Sequence, residues 1–197
     1  MAYGADLLTN LKALLFDETP TTWTDALKVV YINEALHTIV LLRPDATATT
    51  AALSLTANTS KQTIPVTGVR LLEVIKNTSG LPIRQIGMDV LSETIPEWTA
   101  ETTATAIQHY VFDPKNPTVF WVYPVPTTVL QVDIIYAAYP PTFSSSSTSL
   151  GIPEIFVAPV KDYVMYRCYG SEGDGADYTK ATAFLNSFHA HLGKGAS

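Results

Sequence analysis

The hydrophobic spacing of this sequence changes twice along the chain, and this change constrains the fold more than any motif does. Residues 3–16 and the segment after Thr24 repeat apolar side chains every three or four positions, as amphipathic helices do. Pro44 ends this pattern, and the following stretch, ATATTAALSLTANTS, is uncharged and typical of strands. Helical spacing returns only near Pro153. The order predicted is therefore helices, a β module, and helices again.

Four helices are predicted, two at each end of the chain. The first covers residues 3–16, and the second follows Thr24, which is a good N-cap residue. The third begins near Pro153, because proline suits the first turn of a helix, and the fourth covers residues 174–191. Neither pair is large enough to bury its own apolar stripe. We therefore expect the two pairs to pack together as one four-helix bundle.

The middle of the chain alternates in period two. In VLQVDIIY, the side chains of Val132 and Ile134 point to one face and that of Asp133 to the other. The stretch FDPKNPTVFWVY predicts a hairpin with Pro114 in its turn. Several such short strands predict an antiparallel β-sandwich or barrel inserted between the helical pairs. The predicted class is α+β, in three parts: residues 1–45, 46–150 and 151–197.

The composition limits the kinds of partner that the chain can have. Only 15% of the residues are charged, against about 25% on average, so the surface costs little to bury against another protein. The net charge is −6 and no cluster of Lys and Arg occurs, which argues against sequence-specific nucleic-acid binding. No signal-peptide pattern or membrane span is evident, and a single cysteine fits a reducing compartment. We expect a protein that is soluble and cytosolic when it is made.

Residues that could carry chemistry are present but do not form a recognisable site. His189 and His191 would point about 200° apart on a helix, so they cannot share one metal ion. Cys168 lies among aromatic residues, which is typical of a buried small hydrophobe rather than a nucleophile. No phosphate-binding loop, nucleophile elbow or calcium loop occurs. We therefore expect no enzyme activity, no cofactor and no metal.

Four acidic residues recur at four-residue spacing without a basic residue near them. Pro96 interrupts this stretch, so the four carboxylates cannot share one helical face. They form either an ordinary solvated surface or an acidic patch that faces a basic partner or a DNA conduit, where it would repel phosphates. The residues are Asp89, Glu93, Glu97 and Glu101.

Several segments, in order along the chain, together resemble the phage head-to-tail adaptor family, the connector or tail tubular proteins of short-tailed and related phages. These segments are WTDALKVVYINEALHTIVLLRPDA, FDPKNPTVFWVYPVP, VDIIYAAYPP and IPEIFVAPVKDYVMYRCYGSEGDGADY. The last contains YVMYRCYGSEGD, which is similar to the family pattern Y-x-x-Y-R-x-Y-S-x-D. It departs from that pattern by Gly170 before Ser171, and by two residues before Asp174.

The resemblance implies a ring, usually of twelve copies, docked beneath the portal protein at the head–tail junction of a virion. Such a ring extends the channel through which double-stranded DNA passes during ejection, without sequence-specific binding, and carries the tail nozzle or tail tube protein. The resemblance also implies candidate ring or portal contacts, although the tyrosines among them would equally complete the helical core. The candidates are Tyr163, Tyr166, Arg167, Tyr169 and Lys194.

An alternative function is a binding module in a tail or collar. Its β-sandwich would recognise a host glycan or another virion protein, and Trp98 and Trp121 would serve as exposed stacking platforms. An exposed aromatic face on the β module would favour this alternative over the adaptor.

Overall fold

A computed structural model of the chain describes residues 4–19, 22–100, 105–144, 149–171 and 176–193. Within these ranges the helices are α1 (Gly4–Leu14), α2 (Asp25–Leu42), α3 (Met88–Thr94), α4 (Val157–Gly170) and α5 (Tyr178–His191). The strands are β1 (Ala48–Ser54), β2 (Lys61–Thr63), β3 (Gly68–Asn77), β4 (Arg84–Gln85), β5 (His109–Phe112), β6 (Val119–Tyr123) and β7 (Gln131–Ala138). The chain divides into two compact units, which are a helical unit, Met1–Thr47 with Pro140–Ser197, and a β unit, Ala48–Tyr139.

Side-chain caps and a proline set where the helices of the helical unit begin. The Thr24 hydroxyl accepts a hydrogen bond from the Leu27 N–H at 3.2 Å, which satisfies a free donor at the start of α2. The Asp177 carboxylate caps α5 in the same way and accepts from the Lys180 N–H at 3.0 Å. Pro159 lies in the first turn of α4, where its missing N–H is not needed. The predicted start of the last helix, residue 174, lies outside the described residues.

The predicted four-helix bundle is wrong, because the terminal helices do not form one. Instead α4 is the central helix: α5 and α2 pack along it, and α1 contacts it over a shorter length. α1 has only 11 residues, roughly 16 Å, and cannot run along the 18 residues of α2, roughly 27 Å. α1 and α2 are therefore not full-length neighbours, as a four-helix bundle would require.

The core of the helical unit forms around one face of α4. Val160, Val164 and Cys168 recur every four residues on that face and are fully buried. They pack in one hydrophobic cluster with apolar side chains from the other helices, among them Leu7, Leu11, Ile32, Leu36, Ile39 and Phe188. The Trp23 indole N–H also donates to the Cys168 carbonyl at 3.1 Å, which ties the start of α2 to α4.

One asparagine fixes the segment that returns from the β unit to the helical unit. The Asn33 amide of α2 donates to the Phe143 carbonyl at 2.8 Å, and its oxygen accepts from the Phe143 N–H at 2.8 Å. Both backbone groups of Phe143 are thus satisfied, and its ring is fully buried in the helical core. The pairing spans 110 residues of sequence.

The β unit consists of two sheets around a common core. The three-stranded sheet has the order β1-β7-β3, and all its pairs are antiparallel. The four-stranded sheet has the order β2-β6-β5-β4, in which β4 is parallel to β5, so the module is not wholly antiparallel as predicted. Val132, Ile134 and Tyr136 of β7 face the core, in the alternation that the sequence predicted. Phe120 and Val122 of β6 contribute from the other sheet.

The hairpin predicted around Pro114 connects β5 to β6. The Asp113 carbonyl accepts from the Asn116 N–H at 2.9 Å, and its carboxylate accepts from the Lys115 N–H at 2.9 Å. These two bonds close the turn, and the strands then pair from Phe112 with Phe120 onward. An aspartate that binds its own turn and a proline at the next position explain why the chain reverses here.

Two buried amide side chains in the β unit act as Asn33 does in the helical unit. The Asn77 amide donates to the Ile107 carbonyl at 2.8 Å and accepts from the Ile107 N–H at 2.9 Å. The Gln62 amide accepts from the Thr56 N–H at 2.7 Å and donates to the Thr56 carbonyl at 3.0 Å. Each amide replaces the backbone partner that a loop residue would have in a sheet.

Replacing Asn33 tests whether this amide anchors the returning segment. We expect Asn33→Ala to lower the free energy of unfolding by roughly 2 kcal/mol, because both backbone groups of Phe143 lose their partners. The matched control is Asn10→Ala on the exposed surface of α1, for which the expected change is within about 0.5 kcal/mol. Urea unfolding followed by circular dichroism measures both. Equal midpoints for the two variants would contradict the assignment.

Candidate functional site

A groove lies on the helical unit between α2, α4 and α5, and its volume is about 440 Å³. Aromatic side chains and one cation line much of it. Its lining includes Tyr31, Tyr166, Arg167, Tyr178 and Leu185. We call this surface the α4–α5 groove. Its mixture of tyrosine rings and an arginine is the composition that is enriched at the centres of protein interfaces.

Arg167 organises one wall of the α4–α5 groove. Its guanidinium carbon lies 4.8 Å from the centre of the Tyr31 ring, within the range of a cation–π contact. The guanidinium also forms an ion pair with Glu34, and both side chains are 36% exposed. Burial raises the pKa of the Tyr31 hydroxyl, although the nearby Arg167 charge acts in the opposite direction. Tyr31 therefore stays protonated and neutral at the wall of the groove.

The sequence-predicted contact residues of α4 separate into two sets. Tyr166 and Arg167 line the groove. Tyr163 and Tyr169 instead pack against the hydrophobic core of the helical unit. The Tyr163 ring meets the Phe188 ring edge-on at 5.3 Å, and Tyr169 meets the Trp23 ring edge-on at 5.8 Å. The fifth candidate, Lys194, lies outside the described residues.

A second surface is the outward side of α2. Val30 and Leu41 are 51% and 72% exposed, and His37 lies exposed between them on the same face. Ala26 extends this face toward the start of the helix. We call these four residues the α2 outer face. The opposite side of α2 is buried in the core, so this helix is apolar around most of its circumference. A helix of that kind is normally buried on all sides.

The predicted acidic residues lie on and after α3 in the β unit. Asp89 and Glu93 are four residues apart on α3, so they share one face, and Glu97 is exposed in the turn that follows. Within the described part of the chain, no salt bridge involves these three carboxylates. The fourth acid, Glu101, is not among the residues that the structure describes.

The two tryptophans of the β unit do not form exposed platforms. Trp98 is only 6% exposed, and its indole N–H donates to the Ser92 hydroxyl at 3.2 Å. Trp121 is partly buried and packs against the same small cluster, which contains Leu91 and Val111. The glycan-binding alternative therefore lacks the exposed stacking surface that would have supported it.

Cys168 and His191, which carry groups capable of chemistry, are engaged in structural contacts. Cys168 is fully buried, and burial raises the pKa of its thiol to about 12. His191 contacts the Asp162 carboxylate at 2.7 Å, and the Ser187 hydroxyl donates to the same oxygen at 2.8 Å. Among the residues that the structure describes, no group of three or more His, Cys, Asp and Glu side chains could hold a metal ion. The described helices include none that is long and apolar enough to cross a membrane.

One buried lysine was not expected from the apolar stripe of α2. Lys28 is fully buried, and its ammonium lies 3.5 Å from the Asp25 carboxylate. Lys12 of α1 contacts the other oxygen of that carboxylate at 2.7 Å. The hydrogen bond from Lys12 lowers the pKa of Asp25, against a smaller opposing effect of burial. Asp25 thus stays ionised and joins α1 to the first turn of α2.

Taken together, the fold and these surfaces define a structural interaction protein. Its described residues offer an aromatic groove, an apolar helix face and an acidic helix, all of which suit contacts with other macromolecules. The chain belongs to the SU10 adaptor protein family, whose family model matches residues 1–196. This membership confirms the resemblance to phage head-to-tail adaptors. The protein is a structural component of a virion and associates with other virion proteins. Among curated protein sequences, none matches the chain significantly.

Sequence reasoning missed part of these surfaces. Tyr31 and Tyr178 line the α4–α5 groove together with the predicted Tyr166 and Arg167, but they come from α2 and α5. No spacing rule connects residues so far apart in the chain. The α2 outer face could have been found, because the segment DALKVVYINEALHTIVLL places apolar side chains on all sides of a helix.

The reactivity of Cys168 tests the packing of α4 against the core. A thiol with a pKa of about 12 is deprotonated in only about one molecule in ten thousand at pH 8, and it is also inaccessible. We expect a disulfide reagent to modify Cys168 in the folded protein at least about 100-fold more slowly than it modifies the exposed cysteine of an Asn10→Cys variant. Unfolding in urea should equalise the two rates. Rapid modification of the folded parent protein would contradict the packing.

Proposed function

We propose that this adaptor forms a ring of twelve copies that docks beneath the portal protein at the head–tail junction. The ring extends the DNA channel and carries the tail nozzle or tail tube protein. Double-stranded DNA passes through it during ejection without sequence-specific binding. Membership of the SU10 adaptor protein family supports the adaptor role, and the surfaces of the helical unit support the assembly into a ring.

The α2 outer face is the observation that carries this proposal. Val30 and Leu41 leave large apolar areas in water, whereas the apolar side chains of Ile32, Leu36 and Ile39 on the opposite side of α2 are buried in the core. Burying such side chains against a protein releases roughly 25 cal/mol for each square ångström of apolar surface. A single copy cannot cover this face, so a permanent protein neighbour is the simplest occupant. In a ring of identical subunits that neighbour is another copy of the chain.

A ring also requires that each subunit present two different complementary surfaces. A head-to-tail interface that closes on itself generates a ring, and a stable interface buries on the order of 1,000 Å² or more in total. Only 15% of the residues are charged, so burying this much surface removes few charges from water. We assign the body of the ring to the helical unit, because the α4–α5 groove and the α2 outer face both belong to it.

We further propose that the acidic residues of α3 face the DNA channel. Asp89 and Glu93 are exposed on one face, with Glu97 exposed just beyond the helix. Carboxylates in a channel wall repel phosphates, which would let a duplex slide instead of bind. This is the opposite of the basic grooves by which proteins hold nucleic acids.

Charge on the α2 outer face tests the ring. We expect Leu41→Asp to abolish ring formation, because the aspartate would be buried without a partner in the interface. Purified protein is mixed with purified portal protein and imaged by electron microscopy, where the parent chain should add a second ring to the portal. The matched control is Asn10→Asp, an exposed position on α1. Stacked rings formed equally well by Leu41→Asp would count against the proposal.

Charge reversal on α3 tests the acidic channel. We expect the double variant Glu93→Lys/Glu97→Lys to assemble normally but to slow DNA ejection, because lysines in the channel would bind phosphates. Ejection from particles carrying the variant is timed with a DNA-binding dye. The control is Glu154→Lys, an exposed acid in the helical unit. If the double variant ejects DNA at the parent rate, these acids do not line the channel.

A further inference from the structure

Phe16, just after α1, presents its ring to solvent in an unusual backbone conformation. Its side chain is 93% exposed, although phenylalanine is among the residues most often buried. Its φ angle is +52°, in the left-handed region that bulky residues rarely adopt. A glycine would be accommodated here without strain, so the position suits an aromatic side chain only if that side chain has a use.

The backbone around Phe16 is held in place by its neighbours. The Phe16 N–H donates to the Ala13 carbonyl at 3.2 Å, and the Asp17 N–H donates to the Lys12 carbonyl at 3.1 Å. The Asp17 carboxylate then accepts from the Trp23 N–H at 3.0 Å, which anchors this turn to the start of α2. The backbone that carries the exposed ring is therefore held to the helical unit by hydrogen bonds.

The α4–α5 groove has the chemistry to receive such a ring. Tyr166 and Tyr178 offer aromatic surface, and Leu185 adds an aliphatic contact. Tyr178 is itself 63% exposed, so part of the groove wall lacks a covering residue. The Arg167 guanidinium already packs over one aromatic ring, that of Tyr31, and aromatic faces and guanidinium groups attract each other. A groove of about 440 Å³ accommodates one aromatic side chain.

We propose that Phe16 of one copy inserts into the α4–α5 groove of the neighbouring copy. This inference rests on the ring proposed above and names the contact that would form it. Because Phe16 is 93% exposed, it does not occupy the groove of its own chain. Phe16 follows α1, whereas the groove lies between α2, α4 and α5. Each subunit can therefore insert its own Phe16 into one neighbour and receive the Phe16 of the other neighbour. Such a contact is heterologous, and repeating it around an axis closes a ring.

A second copy fits this groove better than a charged partner does. Arg167 is already neutralised by its ion pair with Glu34, so the groove offers an acidic peptide no unpaired cation. With a net charge of −6, the copies repel one another at long range, and their contact must therefore come from apolar and aromatic surface. Phe16 supplies such surface in the one-to-one ratio that a closed ring of identical subunits requires.

Disulfide trapping tests the contact directly. The double variant Phe16→Cys/Tyr178→Cys should give a ladder of covalent multimers when it is oxidised in the presence of portal protein. A mixture of the two single variants should give only a covalent dimer. Cys168 is buried and leaves the parent chain uncross-linked. The matched control, Phe16→Cys/Ala183→Cys, places the second cysteine at an exposed position of α5 outside the groove lining, and should give no ladder.

Rings that form without a ladder would overturn this contact and leave the proposed function standing. Complete absence of rings for the parent chain would overturn both. A disulfide between the Phe16→Cys variant and a cysteine-bearing portal protein, in place of the ladder, would show that residue 16 contacts the portal and would overturn the inference.

A glycine at position 16 separates assembly from folding. Phe16→Gly suits the backbone at φ +52° and removes only an exposed ring, so its thermal midpoint should equal or exceed that of the parent. We expect the concentration for half-maximal ring formation to rise at least about tenfold, as for an interface hot spot. Phe16→Trp should assemble nearly as the parent does. Unchanged assembly by Phe16→Gly would refute the contact.

Discussion

The structure of the helical unit depends on the burial of one face of α4. Val160, Val164 and Cys168 supply that face, and the helices that cover it include α2, more than a hundred residues earlier in the chain. Closing so long a loop carries an entropic cost, but that cost grows only slowly with loop length. A β unit can therefore be inserted without weakening the helical core. The insertion does require that the chain re-enter the helical unit at a defined position. The Asn33 amide fixes this position by binding both backbone groups of Phe143.

The same physical device stabilises both units. Asn33, Asn77 and Gln62 each bind the N–H and the carbonyl of one loop residue, so a segment outside any sheet obtains a complete set of backbone hydrogen bonds. Two of those loop residues, Phe143 and Ile107, bury their side chains in the core beside the amide. Backbone satisfaction and apolar burial thus reinforce each other, which is why irregular segments can pass through the interior of this protein.

Much of the local structure could be predicted because it depends on neighbouring residues. The turn at Asp113 and Pro114, the cap at Thr24 and the alternation in β7 are all determined within a few positions. The packing of whole helices was predicted wrongly, since spacing identifies an apolar stripe but not the helix that covers it. The seven residues of α3 were missed as a helix because two turns are too short for a periodic pattern.

The interaction surfaces resisted prediction for a related reason. A sequence pattern treats every apolar residue of α2 as core, and only the fold separates Ile32 and Leu36, which the subunit buries itself, from Val30 and Leu41, which it leaves in water. The apolar residues of an adaptor must satisfy two conditions, the folding of one copy and its contacts in the virion. A helix that is apolar on most sides, but on one side of which the subunit leaves large apolar residues in water, is therefore a signal of assembly, because that side can be buried only against a partner.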